Sequence, residues 1–164
     1  MDTLVQLRAP QSQDGYAVNQ LVARCKPLDT NSLYCNLLQC SHFSGTSVAA
    51  FLNDKLVGFI SGYLVPERNN TLFIWQVAVD ESARGLGLAG KMIFNLLGRE
   101  SCKAVEFIET TITEDNPASW ALFKGQARRL DTALEHSLFF DKVIHFNSEH
   151  ESEMLVKIGP IAAR

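Results

Sequence analysis

A short glycine-containing segment, Arg84-Gly85-Leu86-Gly87-Leu88-Ala89, has the composition of an anion-binding loop. It follows an apolar run at residues 72–79 that predicts a buried strand, and it precedes a helical pattern at residues 88–97. The first turn of a helix leaves backbone amides without partners and carries a partial positive charge, so anions are favoured there. Glycines keep side chains away from those amides, and Arg84 adds a cation beside them. The segment therefore predicts a site for a diphosphate.

Three interpretations of this loop compete. A dinucleotide-binding fold would place its glycines after the first strand, whereas here they follow a later one, and Met92 stands where a nucleotide-hydrolysing loop needs Ser or Thr. A tight turn without a ligand explains an isolated G-x-G equally well. The segment also resembles the [QR]-x-x-G-x-[GA] signature of the GNAT superfamily of acyl-CoA-dependent N-acyltransferases, and Gln76-Val77-Ala78-Val79 is similar to the fourth strand of that superfamily.

Length and composition favour a single domain, residues 1–164, because the chain has 164 residues of which 46% are hydrophobic. A formal charge of -3 provides no basic surface of the kind that nucleic acids require. The N-terminal residues 1–6 lack the pattern of a signal peptide, and no apolar run is long enough to span a membrane. We therefore expect a soluble, cytoplasmic protein with no nucleic-acid or membrane partner.

The four cysteines form no C-x-x-C pair and have no histidine at the spacing of a zinc site. We expect Cys25, Cys35, Cys40 and Cys102 to be reduced and structural, and we expect no metal.

Hydrophobic patterning predicts the order β-α-α-β-β-β-α-β-α-β-β, an α/β (α+β) fold. Strands are expected at residues 4–8, 47–52, 56–64, 72–79, 104–112, 137–146 and 152–158, with polar turns at 66–70 and 147–149. Helices are expected at 16–25, from 33, at 88–97 and from Pro117, with Asn31 or Ser32 as N-cap of the second. The superfamily resemblance implies the same order, as a mixed twisted sheet of about seven strands with four helices and splayed central strands.

The resemblance also implies where acetyl-CoA binds. In the superfamily the acyl-CoA arm lies between the fourth and fifth strands and pairs with backbone groups of the fourth, while the diphosphate meets the loop amides. Asn116 matches the position at which the next helix contacts the pantetheine. The implied cofactor-binding residues are Gln76, Val77, Ala78, Val79, Arg84, Gly85, Leu86, Gly87, Leu88, Ala89 and Asn116.

Five further blocks, spread over most of the chain, are similar to the L-2,4-diaminobutyrate N4-acetyltransferases of ectoine biosynthesis. They are residues 27–34, 40–43 with 46–48, 58–63, 73–79 and 109–113. This resemblance implies acetylation of the side-chain amine of a diamino acid, and it suggests a homodimer.

Such a substrate needs a carboxylate beside its α-ammonium. Asp29 and Glu153 are candidates, with Asn31, Tyr34 and Trp75 as pocket walls, and His150 belongs to a family-like segment that ends at Glu153.

Each of these residues has a simpler explanation. Asp29 and Asn31 lie in a stretch that could be only a polar turn before a helix, and Trp75 could be a core tryptophan. His150 and Glu153 are three residues apart, so in a regular strand they would point to opposite faces. Both can enter one pocket only if the chain bends between them.

The reaction is attack of a neutral amine on a thioester. Freeing an alkyl amine of its proton at pH 7 costs about 4.6 kcal/mol, so a base must help, and Glu109, His150 and Glu153 are candidates. Many superfamily members protonate the leaving thiolate with a tyrosine, but Phe123 stands at that position. Either Tyr34 or a water takes this role, or the thiolate leaves unaided. Two alternative functions remain, an acetyltransferase for another diamine or polyamine and a non-catalytic acyl-CoA sensor.

Overall fold

The computed structural model describes residues 4–164. Residues 1–3, which belong to the predicted single domain and to the N-terminal segment discussed above, lie outside the described residues. The elements follow the predicted order, which is confirmed. The strands are β1 (Gln6–Arg8), β2 (Val48–Leu52), β3 (Lys55–Val65), β4 (Arg68–Val79), β5 (Phe107–Thr113), β6 (Leu134–Phe140) and β7 (Glu153–Ile158). The helices are α1 (Gly15–Arg24), α2 (Leu33–Ser41), α3 (Leu88–Leu97) and α4 (Pro117–Arg129). The strands form one seven-stranded sheet in the order β1-β2-β3-β4-β5-β7-β6.

The chain divides into two compact units. The first comprises the residues up to Tyr63 together with Ile74–Lys103, and the second comprises Leu64–Phe73 and Ala104–Arg164. Within the first unit, β2 pairs antiparallel with β1 and β3. Its core gathers apolar side chains of α1 and the residue after it, of α2 and of the strands, namely Val18, Leu21, Val22, Cys25, Cys40, Ala49, Leu56, Phe59 and Ala78. Burial of these side chains fixes α1 against the sheet.

Helix starts in both units follow local chemistry. Ser32 caps α2, because its hydroxyl accepts a hydrogen bond from the Cys35 amide at 3.1 Å. Asn116 caps α4 in the same way through Ser119, with Pro117 in the first turn. Of the two residues that the sequence offered as N-cap of the second helix, the structure selects Ser32.

In the second unit, β7 pairs antiparallel with both β5 and β6. Val156 and Ile158 of β7 are fully buried, and Ile108 of β5 retains only 1% of its accessible surface. Every residue of β6 after Leu134 is exposed. This edge strand therefore presents apolar side chains to solvent.

Four predicted boundaries were wrong by three residues or more. One is the start of β6, which lies at Leu134 and not at residue 137. The turn before the central strand is confined to residues 66 and 67, where Glu67 has a positive φ of 66°, so Arg68 already lies in β4. The predicted strand at 137–146 ends at Phe140, because the Asp141 carboxylate accepts hydrogen bonds from the amides of Val143 and Ile144 and turns the chain. The strand predicted from residue 104 begins at Phe107.

Candidate active site

The glycine loop before α3 has the backbone that an anion site requires. Gly85 and Gly87 have φ of 81° and 66°, in the left-handed region that favours glycine. A Cβ built on either residue would meet nothing within 4 Å, so the space beside the loop is open. The first helical bond runs from the Lys91 amide to the Gly87 carbonyl, and the three amides before Lys91 therefore precede the helical ladder. These residues fit a diphosphate.

The loop begins at a tightly held carboxylate, Asp80, which sequence reasoning missed. Its Oδ1 accepts hydrogen bonds from the Ser82 amide at 3.0 Å and the Ser82 hydroxyl at 2.6 Å, and its Oδ2 accepts one from Arg24 Nε at 2.6 Å. These bonds, from Ser82 first and then Arg24, hold the pKa of Asp80 well below its ordinary value. An Asp followed by Ser two residues later at the end of a strand was the available signal.

Trp75 lies on the exposed face of β4. It retains 44% of its accessible surface, so the core-tryptophan interpretation is wrong. Its ring meets Tyr63 edge-on, with the ring centroids 6.0 Å apart, and Tyr63 in turn contacts Phe43 at 6.0 Å. An aromatic group with an open face suits the apolar part of a small substrate.

The strand also holds the predicted substrate segment through a side chain. Gln76 Nε2 donates to the Asp29 carbonyl at 3.0 Å, and Asn31 Nδ2 donates to Gln76 Oε1 at 2.8 Å. The structure thus brings Asp29, Asn31 and Gln76 together, whereas the N-cap is Ser32 alone. Asp29 is exposed on this segment, and Tyr34 in the first turn of α2 is 70% exposed.

The remaining cofactor candidates of β4 and the loop differ in exposure. Ala78 and Leu88 are buried, and Val77, Val79 and Ala89 are partly buried. Arg84 and Leu86 are exposed in the loop, so the guanidinium is accessible to an anion.

In the second unit, the candidate base Glu109 lies in an ion pair. Arg68 contacts its two carboxylate oxygens at 2.7 and 3.1 Å, and Glu109 is only 4% exposed. Both carboxylate oxygens are thus engaged by one guanidinium, in the bidentate geometry of a strong side-chain ion pair. The sequence pattern predicts a turn at Arg68, so the ion pair between Arg68 and Glu109 could not be predicted from it.

His150 and Glu153 lie side by side, as a shared role requires. The His150 Nε2 is 4.0 Å from Glu153 Oε1, and its Nδ1 is 2.6 Å from the Glu151 carbonyl. The chain bends before β7 and so removes the objection that a regular strand would separate them. Of the acidic neighbours, Glu149 is exposed and Glu151 pairs with Lys142 at 2.8 Å.

Helix α4 of the same unit contributes two further positions. Phe123 is 2% exposed and provides no hydroxyl where many superfamily members have one. The Asn116 side-chain oxygen accepts a hydrogen bond from the Ser119 amide at 3.2 Å and so caps the helix. The contact of Asn116 with the pantetheine stays a prediction.

Two observations concern other kinds of site. Among residues 4–164, no group of three or more His, Cys, Asp or Glu side chains is arranged to hold a metal ion. Over the same part of the chain, no helix has the length and apolar character needed to cross a bilayer.

Comparisons with known proteins identify the family of this chain. The model of the acetyltransferase (GNAT) family matches residues 15–127. An L-2,4-diaminobutyric acid acetyltransferase from Methylotuvimicrobium alcaliphilum is 54% identical, over 98% of this chain and 93% of the relative. One of the same name from Vibrio cholerae is 48% identical, over 92% and 87% respectively.

Solved structures extend the comparison to the fold. Diaminobutyrate acetyltransferase EctA from Paenibacillus lautus, in complex with its substrate L-2,4-diaminobutyric acid and coenzyme A, has a TM-score of 0.92 and 37% identity over 96% of both chains. Ard1 from Thermoplasma volcanium, at 14% identity and a TM-score of 0.77, shares the fold alone over 96% of this chain and 99% of its own. The chain therefore belongs to the acetyltransferase (GNAT) family, among the relatives of the L-2,4-diaminobutyric acid acetyltransferases.

Proposed function

We propose that this protein transfers the acetyl group of acetyl-CoA to the side-chain amine of L-2,4-diaminobutyrate. The product is N4-acetyl-L-2,4-diaminobutyrate, an intermediate of ectoine biosynthesis. The observation that carries the proposal is the likeness, over 96% of both chains, to an EctA in complex with this diamino acid and coenzyme A.

Acetyl-CoA binding is assigned to β4 and the loop that follows it. The diphosphate is held by the amides from Gly85 to Ala89, with Arg84 beside them, because the glycines leave open space and a helix begins there. Backbone groups from Gln76 to Val79 pair with the acyl-CoA arm. Asn116 is assigned to the pantetheine.

The acceptor is held by groups that distinguish its two amines. Asp29 binds the α-ammonium, because its carboxylate lies on an exposed segment that Gln76 holds by the main chain. Trp75 and Tyr34 provide exposed aromatic surface for the aliphatic part, and Asn31 completes this wall. The side-chain amine is then left to react.

The proton of that amine passes to the His150–Glu153 pair. Glu109 is a weaker choice because Arg68 already binds both of its carboxylate oxygens. A histidine within 4.0 Å of a carboxylate can take up a proton and share its charge with that carboxylate. We assign Glu109 to the ion pair with Arg68 and keep it as the second candidate for the base.

Collapse of the tetrahedral intermediate releases the thiolate of coenzyme A. The N–C bond forms when the neutral amine attacks the thioester carbonyl, the attacking nitrogen then loses one proton, and the C–S bond breaks when the carbonyl re-forms. Phe123 provides no acid at the usual position. We propose that the thiolate leaves unaided, because an ordinary thiol has a pKa near 8.5 and is a good leaving group at neutral pH.

Thiol release in the presence of acetyl-CoA and candidate acceptors tests the function. We expect release with 2,4-diaminobutyrate at a kcat/KM at least about tenfold above that with ornithine, lysine or putrescine. Preference for one of the latter would favour another diamine or polyamine acetyltransferase. Coenzyme A binding without release would favour the sensor.

A homodimer is also proposed. Exposed apolar side chains cluster on β6 and the turn after it, namely Leu138, Phe139, Phe140, Val143 and Ile144, at 38–81% of their accessible surface. An exposed apolar edge strand is suited to pairing with a second copy. Light scattering of the wild-type protein should give twice the mass of one chain, and the Phe139→Glu variant should give the mass of a single chain.

Two further proposals concern the whole chain. Residues 1–164 act as a single domain, which is supported by the return of the chain to the first unit at Ile74 after a segment of the second. Coincident unfolding transitions by fluorescence and circular dichroism would test this. A cytoplasmic location is supported by the four cysteines, which form no disulfide within residues 4–164 and of which Cys25, Cys40 and Cys102 are buried.

A further inference from the structure

Five residues of the first unit with amide side chains form one chain of hydrogen bonds, which passes once through a main-chain carbonyl, that of Asn31, and which we call the amide chain. Its members are Gln39, Asn36, Asn19, Asn31 and Gln76. Asn36 Nδ2 donates to Gln39 Oε1 at 2.9 Å, and Asn19 Nδ2 donates to Asn36 Oδ1 at 2.9 Å. The same Asn19 nitrogen donates to the Asn31 carbonyl at 3.0 Å, and Asn31 donates to Gln76 at 2.8 Å. The amide chain joins α2, α1, the segment after α1, and β4.

The inner end of the amide chain occupies positions that suit apolar side chains. Asn36 and Gln39 of α2 have no accessible surface. Burying an amide costs free energy unless its polar atoms are paired, and an apolar side chain of similar shape would avoid that cost. Asn36 is paired through both atoms of its amide group, and directional bonds of this kind fix one geometry. The Gln39 Nε2, by contrast, has no hydrogen-bond partner among the described residues. The amide chain is therefore suited to positioning.

The outer end of the amide chain acts on the main chain of residues 29–31. Asn19 binds the carbonyl of Asn31, and Gln76 binds the carbonyl of Asp29 at 3.0 Å. Residues 25–32 form neither helix nor strand, so regular backbone bonding does not fix this segment. Two carbonyls that are two residues apart are thus held from α1 and from β4. The backbone that carries the Asp29 carboxylate is fixed by both.

We propose that Asn19 is a positioning residue for the diamine site, acting through the Asn31 carbonyl on the place of the Asp29 carboxylate. The inference rests on the proposed function, in which Asp29 binds the α-ammonium. Asn19 itself contacts neither substrate. Its effect is on the distance between the α-ammonium partner and the reacting amine, and hence on the choice between diamino acids of different length.

Asn19→Leu tests the proposal, because it removes the donor and keeps a side chain of similar size. We expect the KM for 2,4-diaminobutyrate to rise on the order of tenfold, with the KM for acetyl-CoA within about twofold of wild type. The ratio of kcat/KM for 2,4-diaminobutyrate over ornithine should fall by at least about threefold. A merely structural bond would not change this ratio.

Gln20→Leu is the matched control, since Gln20 is the exposed neighbour on the same helix. It should leave both Michaelis constants and the acceptor ratio unchanged. A second variant, Asn36→Leu, removes the acceptor that orients Asn19 but keeps the Asn19–Asn31 bond, so the KM for 2,4-diaminobutyrate should rise less.

Calorimetry with coenzyme A shows whether each variant retains a folded cofactor site. Equal changes in both Michaelis constants, or an unchanged acceptor ratio in Asn19→Leu, would overturn the inference while wild-type turnover upholds the function. Loss of coenzyme A binding in both Asn19→Leu and Asn36→Leu would identify the amide chain as a folding element and would also overturn the inference. Absence of wild-type thiol release with 2,4-diaminobutyrate would overturn the proposed function and this inference together.

Discussion

Arg68 and Glu109 form a two-bond ion pair, with guanidinium nitrogens 2.7 and 3.1 Å from the two carboxylate oxygens. Glu109 is 4% exposed, whereas the Arg68 side chain retains 49% of its surface. The carboxylate therefore depends on this one cation for much of its charge compensation. We therefore expect the pair to contribute to the stability of the second unit, in which it joins β4 to β5.

Arg68→Ala should lower the free energy of unfolding by about 1–3 kcal/mol, because it leaves a buried carboxylate without its bidentate partner. Urea denaturation measures the change. Lys103→Ala is the control, since its ion pair with Glu100 at 3.3 Å is exposed and should contribute less than about 1 kcal/mol. Equal losses in the two variants would contradict a special role for the Arg68–Glu109 pair.

Asp80 should make stability dependent on pH in the acid range. Hydrogen bonds from Ser82 and from Arg24 lower its pKa below the ordinary 3.8, so the folded protein binds this proton less readily than the unfolded chain. Its contribution is fully present above the unfolded pKa and is lost as pH falls through the folded pKa.

Asp80→Asn should therefore reduce stability by about 1–3 kcal/mol at neutral pH, with a smaller difference from wild type as pH falls below about 4. Urea denaturation at a series of pH values measures both curves. A difference that stays constant from neutral pH down to about pH 3 would show that the hydrogen bonds do not favour the ionised form.

Asp29→Ala should raise the KM for 2,4-diaminobutyrate by about tenfold to a hundredfold, because the α-ammonium loses its carboxylate partner. The KM for acetyl-CoA should stay nearly unchanged. Steady-state thiol release with each substrate varied in turn measures both constants. Glu100→Gln, at another exposed carboxylate, is the control and should change neither. Equal effects on the two constants would favour a structural turn at residues 29–31.

Phe123→Tyr should leave kcat of the same order as in the wild type. The position is 2% exposed, and the thiolate is expected to leave without an acid. Stopped assays of thiol release at saturating substrates measure the effect, with the thermal midpoint as a check on packing. A gain of several orders of magnitude would show that a missing acid limits the native enzyme.

The sequence predicted what local chemistry determines. The element order, the placing of the second helix's N-cap at Asn31 or Ser32, and the glycine loop each depend on residues within a few positions of one another. Side-chain contacts between distant residues could not be predicted, because no local pattern encodes them. Gln76 meets Asn31 across 45 positions, and Arg68 meets Glu109 across 41. Arg68 was further hidden because Arg68-Asn69-Asn70 has the composition of a turn but pairs as a strand.

The strand predicted through Phe146 shows the same limit at shorter range. Apolar residues continue after Phe140, and alternation alone favours a longer strand. Asp141 stops the strand by binding two amides, at 2.8 and 2.9 Å. An aspartate that competes with the strand ladder for backbone donors outweighs hydrophobic periodicity at that position.

Mass spectrometry of the reaction between acetyl-CoA and L-2,4-diaminobutyrate tests the central claim most directly. The account predicts a single monoacetylated product, acetylated at the side-chain nitrogen, formed in equal amount to the free thiol of coenzyme A. Acetylation at the α-nitrogen, or no acetylated product from a folded protein that binds coenzyme A, would contradict it.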